Sequence, residues 1–321
     1  MALGEFALID RYFRACGAPR ADVVAGVGDD AALLRVPEDA DLVAATDTLV
    51  AGVHFPHGSP AASIGHRALA VNLSDLAAMG ARPAWALLAL TMPEAQESWL
   101  TQFTAGFGAL ARAHDVALVG GDTTRGPLCV TVQLLGFAPR GTALRRSGGH
   151  CGDALFVSGT PGDAAAGLAL EEARMSAPAA VSRYLCERFQ LPSPRVALGE
   201  RLREFASACI DISDGLLADA AKLAHASGTG VEINYEALPV SAPLEQAAGA
   251  ERARELALTG GDDYELCFSV AQENLTALGQ ELPAQRWGYS RIGVLRASAG
   301  AVVLHNGSVM QFSHCGYQHF G

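Results

Sequence analysis

The chain has 321 residues, half of them hydrophobic and only 7% aromatic, a length that predicts two domains at about 150 residues each and a composition that excludes disorder as a whole-chain state. Thirty-four acidic residues against 23 basic ones leave a formal net charge of −11. Such a surface repels phosphate backbones and anionic lipid, so neither nucleic acid nor a membrane is expected as a partner.

Phe6, Ile9 and Phe13, with Leu8 and Tyr12, recur at helical spacing and predict an amphipathic helix at the start. A glycine turn, Gly26-Val-Gly-Asp-Asp30, precedes two β-like runs over 32–36 and 42–50. An Ala/Leu-rich helix over 59–79 ends at Gly80. A strand over 85–92, a helix over 95–114 and strands over 116–119 and 128–137 follow. Residues 139–152, rich in Gly and Arg, form the expected linker, which divides the chain into domains 1–138 and 150–321.

The second half opens on a strand over 155–158, and Thr160-Pro-Gly then starts a helix with Pro in its first turn. Helices over 164–173, 180–189 and 195–206 lead to a strand over 208–212 and a helix over 216–226. Strands over 231–235, 264–270 and 302–304 are separated by further helices. Strands alternate with helices in both halves, which predicts two mixed α/β domains. Seven cysteines without a Cys-x-x-Cys pair read as the reduced thiols of a cytoplasmic protein. No signal region and no uncharged apolar run of about 18 residues is present.

Lys222 is the only lysine, and it follows Ala221 and precedes Leu223. That context excludes both a P-loop and a protein-kinase ATP lysine. Acidic residues instead recur beside glycine turns and strand ends: Asp29-Asp30, Asp47, Asp75, Asp122 in Gly-Gly-Asp-Thr-Thr, Asp211 and Asp214 in Asp-Ile-Ser-Asp-Gly, and Asp262-Asp263. Hard cations such as Mg²⁺ take one or two carboxylates plus phosphate oxygens, so such a set suits several ions around a polyphosphate. Taken singly, an Asp beside Gly is most often a turn former or helix cap with no other job. Asp47 and Asp75 stand out because they interrupt apolar stretches, where a carboxylate is either on an exposed face or buried with a partner. Gly120-Gly-Asp-Thr-Thr-Arg-Gly126 follows the strand over 116–119 and reads either as a backbone whose free N–H groups can approach phosphate, with Asp122 placed for metal, or as a plain tight turn. Arg145-Arg146 fits either a bidentate phosphate clamp or a solvated linker. Tyr317 either stacks on a ligand ring or pins the tail.

In order along the chain, these motifs resemble the thiamine-monophosphate kinase family, within the superfamily of aminoimidazole ribonucleotide synthetase, whose members bind ATP without a P-loop. The resemblance covers nine segments: 4–9, 26–32, 46–55, 72–80, 120–127, 160–167, 211–216, 260–266 and 316–320. It implies that Asp30, Thr46, Asp47, Asp75 and Asp122 hold Mg²⁺ in the N-terminal domain, with Asp211 and Asp214 adding ligands from the second. It implies that Gly121, Asp122, Arg146, Ser213 and the neighbourhood of His114 meet ATP, and that His54, Asp262 and Tyr317 bind thiamine monophosphate. Asp122, Arg146 and Asp211 would then lie closest to the transferring phosphoryl group. It also implies a homodimer built through the N-terminal domain.

Three positions depart from the family's pattern. Ala45 replaces a Ser, Asp262 a Glu, and His114 a Tyr; no carboxylate expected to bind metal is lost. A transfer from ATP to a phosphate already anionic at neutral pH needs no strong base, in keeping with the lack of a Ser-His-Asp or Cys-His motif. Another kinase or synthetase of the superfamily, a metal-dependent phosphatase and a nucleotide sensor are the alternatives. A selenophosphate synthetase would need a lysine near Cys16, and none is there.

Overall fold

A computed structural model describes residues 4–312 and 316–317, so that Cys315 and Phe320 of the tail lie outside the described residues. Two compact units emerge, one from the chain up to Leu76 with Ala81–Thr142, the other from Ala77–Gly80 with the chain from Ala143 onward. No helix among the described residues is long and apolar enough to cross a membrane.

The first unit opens on α1 (Glu5–Tyr12), which buries Leu8 and leaves Phe6 exposed. A small antiparallel pair follows, β1 (Val23–Ala25) with β2 (Leu33–Leu34). Next come β3 (Ala40–Val50), α2 (Ala61–Ala78), β4 (Arg82–Met92), α3 (Glu97–Ala113), β5 (Ala117–Arg125) and β6 (Cys129–Pro139). The sheet order is β3-β6-β4-β5, with β6 antiparallel to both neighbours and β5 parallel to β4.

One face of this sheet is apolar: Val130, Val132 and Leu134 of β6 are fully buried. Helix α2 lies over that face, its Leu76 against Gly136, and α3 packs on α2. A Cβ at Gly65 would fall 2.1 Å from the Phe103 carbonyl oxygen, and one at Gly106 2.0 Å from that of Ala62. The two helices therefore touch backbone to backbone, which no side chain at either position permits. The other face is covered at one end, where Val23 and Leu34 pack with Trp85, Val119 and Phe137, and open at the other, around Thr46 and Asp122. Along β3 the period of two places Thr46 and Thr48 on the open side, and Asp47 and Leu49 on the helix side.

The second unit contains β7 (Ala154–Ser158), α4 (Asp163–Glu171), α5 (Ala179–Gln190), α6 (Val196–Leu202), β8 (Ala206–Asp211), α7 (Leu216–Ala226), β9 (Gly230–Asn234), α8 (Ala242–Ala248) and α9 (Ala250–Thr259). It continues through β10 (Leu266–Val270), α10 (Leu275–Glu281), α11 (Ala284–Trp287), β11 (Tyr289–Arg296), β12 (Gly300–His305) and β13 (Ser308–Met310). Its seven strands form one mixed sheet, β13-β12-β9-β11-β7-β10-β8. Leu155, Val157, Ile210 and Cys267 pack with Leu216, Leu217, Ala220 and Leu223 of α7 on one face. On the other, the rings of Phe156 and Phe268 stack at 5.3 Å with Tyr289 edge-on.

Three expectations change. The helix over 195–206 stops at Leu202, because the chain must turn to enter β8 at Ala206. Strand β11 is unanticipated, its two arginines and Gly293 having masked the apolar alternation. The linker is in part docked: β8 is an edge strand whose Cys209 N–H donates to the Arg145 carbonyl at 2.9 Å, and Ser227 Oγ donates to that of Arg146 at 2.9 Å.

Between β7, α5 and β10 lies a buried ion cluster. Glu265 is fully buried, gripped by Arg195 Nε and Nη2 at 2.6 Å each, by Arg188 Nη2 at 2.8 Å and by Ser158 Oγ at 2.5 Å. Burial alone would raise its carboxyl group, but the hydrogen bonds and charge of Arg195, then the charge of Arg188, hold it below the usual carboxylate range. Glu265→Gln leaves two guanidinium groups facing a neutral amide and is expected to cost about 3–5 kcal/mol at neutral pH. A depressed carboxylate stabilises fully above its ordinary value of 4.5 and loses that contribution as pH falls through the lower native value. Unfolding midpoints of parent and variant should therefore converge in that acid range; a constant gap would contradict the ion cluster's role.

Candidate active site

On the helix side of the first unit's sheet, two of the expected metal ligands meet. Asp47 of β3 and Asp75 of α2, both partly buried, are in side-chain hydrogen-bond contact. Burial pushes the Asp47 carboxyl group up, against the lowering effects of the bond to Asp75 and the charge of His54. His54 sits in the loop after β3, where its Nδ1 accepts the Val50 N–H at 3.0 Å. Two carboxyl groups in contact share either a proton or a cation, and hard oxygen donors suit Mg²⁺. Among the described residues no three His, Cys, Asp or Glu side chains converge to hold an ion by themselves. An ion here would complete its shell from water, backbone carbonyls or phosphate oxygens.

The remaining expected ligands of this unit lie elsewhere. Asp30, Thr46, Gly121 and Asp122 line a cavity of about 710 Å³ on the open face of the sheet. A second cavity of about 310 Å³ shares Asp29, Asp30, Gly120, Gly121 and Asp122 with it and adds an apolar wall of Phe6, Ile9 and Phe13. Of the five residues expected to hold Mg²⁺ ions in this unit, Asp47 and Asp75 meet on the helix side while Asp30, Thr46 and Asp122 line the open cavity, the neighbours Thr46 and Asp47 pointing to opposite sides of β3. His114 caps the end of α3; burial and the neighbouring His66 lower its pKa, and it is not among the residues lining these two cavities.

The Gly-Gly-Asp-Thr-Thr segment is no turn. Pairing with β4 jumps from Ala86–Leu118 to Leu87–Gly120, so Val119 is bulged, and the ladder continues to Arg125. Gly121, at φ 151°, is what permits this: a Cβ there would lie 1.8 Å from the Leu88 carbonyl oxygen. Because β5 is an edge strand, one side of this glycine-rich ladder has no neighbouring strand. Asp122 is exposed, with one carboxylate oxygen accepting the Thr123 N–H at 2.9 Å.

The second unit gathers the rest around the loop between β8 and α7. Asp211 ends β8 and is buried, while Ser213 and Asp214 follow in the loop. The Asp262 N–H donates to the Ser213 carbonyl, and the Tyr317 N–H to that of Asp214, each at 2.9 Å. The main chain of Tyr317 thus pins the tail to the loop while its side chain stays half exposed. Arg146 is not gathered with them. Its carbonyl is anchored by Ser227 at the C-terminal end of α7, a helix about 16 Å long by its rise per residue. Ser213 and Asp214 precede the opposite end.

Two buried carboxylates shape this corner: Asp219, which the motifs passed over, and Asp263, which they included without a role. Asp219 is buried, and its Oδ2 accepts the N–H groups of Ser213, Asp214 and Gly215 at 3.0, 3.0 and 3.2 Å. Its signal was present in the sequence, an Asp in the first turn of an otherwise apolar helix after Gly215. Asp263 is buried and accepts the Gly162 and Ala164 N–H groups at 2.7 and 3.2 Å. Its neighbours Asp262 and Tyr264 both adopt positive φ, at 72° and 53°, a conformation costly for non-glycine residues and characteristic of binding loops.

Known proteins carry the same framework. Residues 28–138 match the family model of AIR synthase related protein, N-terminal domain, and residues 151–306 match that of its C-terminal domain. Thiamine-monophosphate kinase of Salmonella typhimurium is 46% identical over 322 residues, spanning 100% of this chain and 99% of that protein. The crystal structure of thiamine-monophosphate kinase from Stenotrophomonas maltophilia K279a matches at a TM-score of 0.87 and 48% identity, over 97% of this chain and 99% of that one. The structure of AaThiL complexed with AMPPCP and TMP matches at 0.80 and 31% identity, over 100% and 99%. With both halves matched and such identity along its full length, the chain belongs to the thiamine-monophosphate kinase family.

Proposed function

We propose that the chain transfers the γ-phosphoryl group of ATP to thiamine monophosphate in line, giving thiamine diphosphate and ADP. The full-length likeness to thiamine-monophosphate kinases supports the reaction, and the neighbour complexed with AMPPCP and TMP supports the substrate pair. On the molecule itself, the contact between Asp47 and Asp75 carries the proposal. Two carboxyl groups brought together among apolar residues share a proton when empty and suit a site built to hold cations.

Asp30, Thr46, Asp47, Asp75 and Asp122 in residues 1–138, and Asp211 and Asp214 in residues 150–321, are assigned to several Mg²⁺ ions. Bound Mg²⁺ supplies the positive charge that offsets repulsion between two polyanions and stabilises charge on the transferring group. The glycine backbone at Gly121 and the Ser213 loop are assigned to the nucleotide. Arg146 and His114 keep that role through family likeness alone. His54, Asp262 and Tyr317 are assigned to thiamine monophosphate, whose cationic ring suits the face of Tyr317. The attacking phosphate oxygen is largely anionic at neutral pH, so the protein's work is to orient it and to exclude competing water. Residues 1–138 are also assigned the contact of a homodimer in the cytoplasm. Edge strand β3 supports this with Leu42 47% exposed, as does Leu33 at 59%.

Phosphorus NMR of protein, Mg²⁺, ATP and thiamine monophosphate, with each omitted in turn, tests the reaction. ADP and thiamine diphosphate should form only from the full mixture. Orthophosphate released without ATP would favour a phosphatase. Asp75→Asn should abolish turnover and leave the melting temperature of the metal-free protein within about 2–4 °C of the parent's, about 1 kcal/mol, because an amide can donate to Asp47 in place of a protonated carboxyl group. A larger fall would mean that the carboxyl pair stabilises the fold. Tyr317→Ala should raise KM for thiamine monophosphate about two- to thirtyfold and leave that for ATP nearly unchanged, with Tyr317→Phe close to silent. Unchanged KM in a less stable Ala variant would reduce Tyr317 to an anchor of the tail.

A further inference from the structure

Lys222, the only lysine of the chain, has no part in the reaction as assigned above. Its ammonium group bridges two carboxylates, Asp219 Oδ1 at 2.7 Å and Asp214 Oδ2 at 2.5 Å. The two bonds are not equivalent. The Asp219 side chain is 2% exposed, and its other oxygen holds three successive loop amides, so it cannot leave without unfolding the loop. The Asp214 side chain is 32% exposed and belongs to that loop. The Lys222 side chain is itself 43% exposed, and only two of its three N–H donors meet acceptors among the described residues.

A carboxylate already neutralised by an ammonium group offers little to a divalent ion. For an ion to take Asp214, Lys222 must release it. The ammonium group then remains tethered to Asp219, with donors to spare, next to the loop that carries Ser213. A phosphate oxygen is the acceptor that such a freed cation fits. Lysine suits the task better than the arginine used at every other Lys/Arg position, because its donors rotate on a flexible stem whereas a guanidinium fork is rigid.

We propose that Lys222 is an exchangeable counter-ion: it holds Asp214 in the resting protein and moves, still anchored on Asp219, to a phosphate oxygen of the nucleotide when a divalent ion occupies Asp214. This rests on the assignment of ATP to the Ser213 loop.

A chain with one lysine allows a direct test. Protein grown on lysine labelled with ¹³C at Cε carries a single labelled residue, whose Cε–Hε resonance is followed with Mg²⁺ alone, with AMPPCP alone and with both. The resonance should move substantially only with both. In Asp214→Asn the resting resonance should be displaced, and the joint addition should move it less. An unmoved resonance in protein that still makes thiamine diphosphate would overturn the exchange and leave the kinase assignment intact. Failure to make thiamine diphosphate would strike the kinase assignment, while the resonance still reports whether Lys222 answers to Mg·AMPPCP. In steady state, Lys222→Met should raise KM for ATP on the order of tenfold and lower the half-saturating Mg²⁺ concentration, with Lys222→Arg restoring part of each. A loss of melting temperature with both constants unmoved would show a purely structural lysine. Should Lys222→Met fail to fold, the labelled parent protein decides alone.

Discussion

Keeping the carboxyl groups of Asp47 and Asp75 in contact demands that a strand and a helix be unable to part. Were both groups ionised, two unit charges 4 Å apart would repel by about 1 kcal/mol in water and about 4 kcal/mol near a protein surface. Leu73 and Leu76 flank Asp75 and are fully buried, and burying each contributes about 1.5–3 kcal/mol. Packing therefore outweighs repulsion, and the glycine contact of α2 with α3 keeps the helix from lifting away. The first unit places a pair of carboxyl groups at the edge of its core because the apolar surface around the pair is large enough to hold it there.

The second unit solves a different problem with the same residue type. Asp219 and Asp263 are buried; Asp263 gives both oxygens to backbone N–H groups, and Asp219 gives one to three of them and the other to Lys222. Those bonds hold the loop before α7 and the segment before β10 in conformations that the local sequence would not choose. Two positive-φ residues at about 1–3 kcal/mol each are sustained in this way. The residues assigned to ligands, Ser213, Asp262 and Tyr317, are displayed by a framework whose own carboxylates face inward.

Periodicity alone revealed much of this. Helix α7 matches its expected bounds of 216–226, and α2 and α3 differ from theirs by one or two residues at each end. Long apolar periods survive tertiary context. Strand β11 escaped because Arg291, Gly293 and Arg296 interrupt its apolar pattern, and β5 was cut short because Gly120 and Gly121 read as a turn. Both errors treat glycine as a breaker where it serves close approach of backbones. The individual acidic residues were evident from their motifs, but their grouping was not. Nothing local says that Thr46 and Asp47 belong to different faces of one sheet, since only the partner strand and helix settle which side is which. Asp219 went unnoticed because three of its four partners are main-chain N–H groups, which leave no mark on composition.

The alternation along β3 also limits how this chain can change in length. Inserting or deleting one residue between Ala40 and Thr46, with the pairing to β6 kept up to the change, would exchange the sides of everything beyond it. Thr46 would turn beneath α2, and Asp47 would lose Asp75 and face the open cavity. The strand therefore behaves as a ruler whose count of residues is part of the site. In the turn before Ala40 and the loop from Ala51 to Pro60, by contrast, an added residue alters no side-chain parity along the strand.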